Sequence, residues 1–211
     1  MLGNFEIDRP FLNLPTCAVA NGDLSGVQSI FLCLPSFSIT KANAVTLNGW
    51  LDAIADYEVF PIHRVIDVED NSEDATLVES RSNRRYQQRV GKYRFNFRVS
   101  VPTEFYTRFK AYEGQRLDAI FGDINGNVIG RSDGDNLKPI TVESIMVRKI
   151  TWGTYGQPCL IGVTLDLAYP SQMMEVVALK SEFNISKAKY DELVLSNIDS
   201  IVTPFIMQVK T

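Results

Sequence analysis

One histidine, three cysteines and two adjacent blocks of opposite charge are the groups in this sequence with chemistry to offer. His63 sits inside the run Phe60–Ile66. A nucleophilic hydrolase normally needs a base, most often histidine, so His63 is the candidate general base or metal ligand. Nothing in its sequence neighbourhood supplies a nucleophile or an orienting acid. The simpler reading is a strand residue near a sheet rim. Cys17, Cys33 and Cys159 are odd in number and carry no CxxC spacing, so with a single histidine they give no zinc pattern. They read as reduced, largely buried thiols of a protein matured in cytoplasm, with a disulfide between two of them as the less favoured alternative. No P-loop, GxGxxG, GxSxG or HExxH pattern occurs, and no pair of carboxylates is marked out for acid–base work. The expectation is a chain that is not an enzyme and needs no cofactor.

The charge blocks carry more information. Asp67, Glu69, Asp70, Glu73 and Asp74 are followed by Arg81, Arg84, Arg85 and Arg89, with Lys92, Arg94 and Arg98 beyond. The acids are oxygen-rich enough for calcium or magnesium, but they lack the central Gly and distal Glu of an EF-hand loop; Asp123–Asn127 fails the same test. The arginines have three readings. They could track the phosphates of DNA in a channel, pair with the acidic block of a neighbouring copy, or form a solvated loop. Blocks of similar size and opposite sign lying side by side favour the second and third readings over the first. The formal charge of −4 adds no call for nucleic acid.

These groups must be positioned by ordinary secondary structure. At 211 residues and 45% hydrophobic, the chain is long enough for one well-cored domain. Met1–Leu14 contains Glu6, Asp8 and Arg9 and lacks an export signal, and the longest apolar stretch, around Ile30–Leu34, is too short to span a bilayer. Residues 1–35 read as an extended N-terminal segment that needs another surface to lie on, with Gln28–Leu34 as a buried strand. Lys41–Tyr57 places Ala44, Leu47, Trp50, Leu51 and Ile54 on one helical face, with Thr40 or Asn43 as cap. Val59–Val68 begins as a strand. Residues 67–90 have no core-facing period and read as an exposed loop or a long, two-sided polar hairpin arm.

Gly91–Val101 gives the clearest signal: Tyr93, Phe95, Phe97, Val99 and Val101 alternate with Arg94, Asn96, Arg98 and Ser100. Pro102 opens a short helix with Phe105, Phe109 and Tyr112 on one face, closed by Gly114. Arg116–Gly130 is a hairpin turning at Asn125-Gly126, expected as a type I′ turn, and Asp133-Gly134 marks another turn. Thr141–Trp152 and Leu160–Tyr169 alternate as a further strand pair. Ser186–Ser196 reads as a helix and Ile201–Val209 as a last strand. The fold class that follows is mainly β (α+β): an antiparallel sandwich or rolled sheet with one or two flanking helices and a polar arm, in a single domain over residues 1–211.

The order of these pieces resembles a loosely defined group of virion structural proteins from tailed phages of Bacteroidetes-type hosts. The resemblance runs from the basic-aromatic strand RVGKYRFNFRVSV (Arg89–Val101) and the helix EFYTRFKAYEG (Glu104–Gly114) to the hairpin DAIFGDINGNVIGRSDG (Asp118–Gly134) and the late strand VTLDLAYPSQMMEV (Val163–Val176). It covers about half the chain and rests on strands and turns rather than on chemistry. It implies a tail-tube-like fold whose copies form a ring or tube in a tail or neck, in the virion and in host cytoplasm during assembly. The partners implied are copies of itself, other virion structural proteins and passing DNA, with no membrane. On this reading Asp67, Glu69, Asp70, Glu73, Asp74, Arg81, Arg84, Arg85 and Arg89 form the intersubunit contact. A monomeric binding module, such as a capsid decoration or host-facing domain, is the alternative. An enzyme with an unmarked acid pair comes third.

Overall fold

The strands that lack a polar face sit in the middle of the molecule. In β1 (Val27–Cys33) only Gln28 is exposed, and all six residues of β8 (Asp118–Asp123) are buried. A strand buried on both faces has no use for alternation. The computed structural model describes residues 26–74, 76–79, 85–89, 91–100, 105–153, 159–185 and 188. Its other elements, in chain order, are β2 (Ile39–Thr40), α1 (Lys41–Ala44), α2 (Leu47–Ala55), β3 (Val59–His63), β4 (Val65–Asp70), β5 (Thr76–Glu79), β6 (Arg85–Arg89), β7 (Arg94–Val99), α3 (Phe105–Lys110), β9 (Asn127–Asp133), β10 (Asn136–Lys138), β11 (Val142–Val147), β12 (Ile161–Leu167), a 3-10 turn over Pro170–Glu175 and β13 (Val176–Lys180).

Three layers result. The central one is a seven-stranded sheet in the order β2-β10-β9-β8-β1-β3, with β13 added to β9. One of its faces, through Ile30, Leu32, Phe60, Ile62, Phe121 and Ile129, packs on a four-stranded sheet of order β11-β12-β7-β4, which contributes Phe95, Phe97, Val99, Val163 and Leu165. Phe97 and Phe121 stack across the layers with centroids 5.7 Å apart. The other face, through Phe31, Cys33, Ile120 and Val128, is covered by Ala44, Trp50 and Ile54 of the helices and by Ile185 and Ala188. Trp50 donates its indole N–H to the Ala44 carbonyl at 2.8 Å, which satisfies its one polar atom inside this core. The fold is therefore the mainly β (α+β) class expected.

Local chemistry corrects several expectations. The helix expected over Lys41–Tyr57 is two helices. Thr40 caps α1 by accepting from Asn43 N–H at 3.3 Å, and Thr46 caps α2 by accepting from Gly49 N–H while donating to the Asn43 carbonyl. The break rotates the buried face, so Ala53 is buried and Leu51 is exposed. The strand expected over Val59–Val68 is broken at Arg64, whose φ of 63° turns the chain from one sheet to the other. A bulge between Val65 and Asp67 then leaves Ile66 exposed.

The Asn125-Gly126 hairpin is not a type I′ turn. Only Gly126 has positive φ (79°), and Gly126 N–H donates to the Asp123 carbonyl, so Ile124 and Asn125 form an ordinary turn closed by a left-handed glycine. Asp123 selects that form, since its carboxylate accepts from both the backbone N–H and the side-chain amide of Asn127. Of the segment assigned to 1–35, the part from Val27 is sheet rather than free extended chain, because β1 is bonded to β3 and β8 on either side; residues 1–25 lie outside the described residues. Pro102, the helix Ser186–Ser196 and the strand Ile201–Val209 lie outside the described residues.

Candidate assembly surface

The four-stranded sheet turns its polar face away from the core, and β7 organises it. Its alternation puts Arg94, Asn96 and Arg98 on that face, where the antiparallel register sets them opposite Asp166, Thr164 and Gly162 of β12. Arg94 forks onto Asp166, Nε to Oδ1 at 2.6 Å and Nη2 to Oδ2 at 2.9 Å, and Ser144 of β11 donates its hydroxyl to the same carboxylate at 3.0 Å. The hydrogen bond from Arg94 holds the Asp166 carboxyl below the ordinary carboxylate range against the opposing effect of burial, and the same bond raises the guanidinium. One row along, Thr164 donates to Asn96 Oδ1 at 2.7 Å, and Arg148 reaches both residues, donating to Thr164 Oγ1 and to Asn96 Oδ1 at 2.9 Å. Asn96 and Thr164 are buried on this outward face, and the Arg148 guanidinium holds their polar atoms there while its stem lies against Gly162. A β-carbon on Gly162 would come within 3.2 Å of the Arg148 Cβ, so a glycine there leaves the stem room.

The β4 edge of this sheet carries the first part of the acidic block. Arg98 pairs with Glu69 and lies 3.6 Å from Asp67. Asp70 accepts from Ser72 N–H at 2.8 Å. The β4–β7 ladder does not stop at the sheet. Asn71 N–H donates to the Arg94 carbonyl, and Glu73 and Lys92 exchange backbone hydrogen bonds of 2.8 and 3.0 Å. The ladder resumes as β5 paired with β6, from Thr76↔Arg89 to Glu79↔Arg85. The described residues between 65 and 99 therefore pair in the order of one long hairpin. Its root belongs to the four-stranded sheet, and its distal part forms a separate two-stranded sheet. At about 3.3 Å per residue, the four positions of β5 extend roughly 13 Å along the strand direction.

The residues expected in an intersubunit contact are thus divided. Asp67, Glu69 and Asp70 lie in β4 at the root, where the first two are matched within the chain by Arg98. Glu73 and Asp74 lie at the base of the arm, and Arg85 and Arg89 stand at the two ends of β6. Arg81 and Arg84 lie outside the described residues. The sequence left residues 67–90 open between an exposed loop and a hairpin arm, and it started that arm at Asp67, which lies inside β4. Val65 and Val68 are three apart, and the bulge between Val65 and Asp67 is what lets both pack on the core.

The other chemical candidates settle into the fold as follows. His63 lies on β3, and its Nε2 is 2.8 Å from the Ala188 carbonyl. A carbonyl only accepts, so Nε2 carries a proton, and Nδ1 lies within hydrogen-bond reach of the Ser29 hydroxyl at 2.7 Å. Sequence spacing gave no hint of Ser29, which is 34 residues away and 1% exposed. Cys33 is fully buried, and desolvation, aided by Asp118 and Glu58, pushes its thiol well up; Cys17 lies outside the described residues. Among the described residues no cluster of three or more His, Cys, Asp or Glu side chains could hold a metal, and no helix is long and apolar enough to cross a membrane. An open cleft of about 420 Å³ lies between the Asp123–Gly126 turn and residues 180–185. No protein-family model, curated protein or solved structure matches the chain.

Proposed function

We propose that this chain is a structural protomer that associates with copies of itself through the 71–92 arm, forming a ring or tube in a phage tail or neck through which DNA passes. The observation that carries the self-association is the arm. A two-stranded hairpin alone is at best marginally stable in water, and this one leaves its parent sheet to pair with no third strand among the described residues. On this reading a neighbouring copy supplies a surface that no described strand of the chain gives it. The arm is mostly polar, with Leu77 and Val78 as its apolar exceptions in β5, acidic at its base and rich in arginine beyond, which suits contacts that fix register and orientation between identical units. The phage setting rests on the resemblance of Arg89–Val176 to virion structural proteins, and no catalytic role is part of this reading.

The test is mass in solution, by light scattering or native mass spectrometry. The full chain is compared with a variant in which residues 75–90 are replaced by an Asn-Gly turn just beyond the Glu73–Lys92 bridge. Rings or tubes from the full chain, and folded monomers from the variant, are the expected result. Folded monomers in both cases overturn self-association and leave the monomeric binding module in its place.

A further inference from the structure

We propose that Arg148, on the outward face of the four-stranded sheet, receives the arm of a second copy of this chain, and that the group it binds is the carboxylate of Asp74 at the base of that arm. The inference rests on the self-assembly reading and names the surface on which the arm lies.

Three arginines stand on that face, and two of them are spent on carboxylates. Arg94 forks onto Asp166, and Arg98 pairs with Glu69. Arg148 is held differently. Among the described residues it bonds only neutral oxygens, with Nε on Thr164 Oγ1 and Nη2 on Asn96 Oδ1, both at 2.9 Å. Thr164 and Asn96 are buried and bonded to each other at 2.7 Å, while Arg148 itself is exposed. The charge is thus fixed in position by partners that do not neutralise it.

A guanidinium presents its five N–H groups in one rigid plane. In Arg148, Nε and Nη2 form the edge turned toward the sheet. The far edge, made by Nη1 and the second N–H of Nη2, keeps a parallel pair of donors, the geometry that a carboxylate takes up through both its oxygens. Because two bonds already order the side chain, little further conformational freedom is lost when an anion arrives. Met146, two positions earlier on the same face, is also exposed and gives the site an apolar flank.

Asp74 is the carboxylate of the acidic block best placed to enter this site. Asp67 and Glu69 are matched by Arg98, Asp70 accepts from Ser72, and Glu73 acts electrostatically on Arg94. Asp74 is exposed and follows the Glu73–Lys92 bridge by one residue. The antiparallel register therefore sets it opposite Gly91, which brings no side chain to oppose it. Its own Arg148 is out of reach. That arginine shares a row with Gly162 and Arg98, and Lys92 stands six positions before Arg98, about 20 Å away along extended chain. The pairing must be made between copies.

Charge exchange in the full chain tests the pairing. Arg148→Glu and Asp74→Arg are made singly and together, and mass in solution is followed against protein concentration. Each single variant should need roughly tenfold more protein to assemble, the low end of the coupling between close charged pairs at interfaces, and the double variant should recover most of that loss. Single variants that assemble as the native chain does overturn the proposal and leave self-association standing. Single variants that weaken with no recovery in the double overturn it as well. Arg148→Lys covers the case in which Arg148→Glu does not fold: it keeps the charge and the stem but loses the parallel pair of donors. The same weakening is expected of it, and native-like assembly overturns the proposal. A native chain that is monomeric by mass removes the self-association reading and this one with it.

Discussion

Asp166→Asn tests whether the polar face of the four-stranded sheet is held as described. The change keeps the shape of the side chain and removes its charge. Asp166 accepts three hydrogen bonds, two from the Arg94 fork and one from Ser144, and is almost fully buried. Hydrogen bonds to a charged group contribute roughly 1.5–3 kcal/mol each in favourable cases. The Arg94 side chain is 37% exposed, so solvent screens its share, and the net loss should be about 2 kcal/mol. For a chain of this size that lowers the melting midpoint by roughly 4–8 °C.

The sign with pH follows from the direction of the shift. The folded-state carboxyl lies below its unfolded value because of the Arg94 hydrogen bond, so the folded state binds fewer protons. Its stabilisation is complete above the unfolded value, about pH 3.9, and is lost as pH falls through the lower folded value. The asparagine variant lacks this dependence. The gap between the two proteins should thus be full at neutral pH and shrink below about pH 3.9. Denaturant unfolding of both proteins at one fixed, low concentration, across the acid range, measures it without interference from association. Other depressed carboxyls, such as Glu113 and Asp133, cancel in the difference. A gap under about 0.5 kcal/mol at neutral pH, or one that does not change with acid, refutes the account of this face.

Two further outcomes follow from buried groups. Asp118 is pushed up chiefly by desolvation, which the Val142 N–H and the nearby Arg116 and Arg131 only partly offset. Its ionised form is therefore less at home folded than unfolded, and Asp118→Asn should raise the melting midpoint at neutral pH; a drop of several degrees would show that the arginine pairing outweighs burial. Cys33 should resist thiol reagents in the native protein at neutral pH and react once denaturant is added, as mass spectrometry of labelled peptides would show.

What the sequence disclosed depends on how local the cause was. The β7 alternation of Phe95, Phe97 and Val99 against Arg94, Asn96 and Arg98 is visible as a period of two and appears in the fold with that polarity. Gly114 and Gly134 were legible as sites of positive φ, since their neighbours leave few alternatives. The double helix break was not, although Thr46 is a good capping residue, because the apolar period ran past it. The turn at Asn125 was misread because a four-residue rule for Asn-Gly competes with Asp123, whose carboxylate binds the far side of the loop. Pairings over long separations were out of reach altogether. Ser29 with His63, Arg94 with Asp166 and Arg148 with Asn96 are set by sheet order, which no local pattern encodes.

The geometry of the proposed self-association follows from where the arm begins. The arm is the far end of the β4–β7 hairpin of the four-stranded sheet. A two-fold dimer needs one patch that complements itself. If the hairpin lies on a different surface of its neighbour, the contact joins unlike patches and repeats from copy to copy. It then closes into a ring if the rotation per copy divides a full turn, and otherwise winds into a filament or tube. On that reading the charged and bulged β4 edge would keep copies from joining sheet to sheet at the root of the arm, and the distal hairpin would be the part that reaches across.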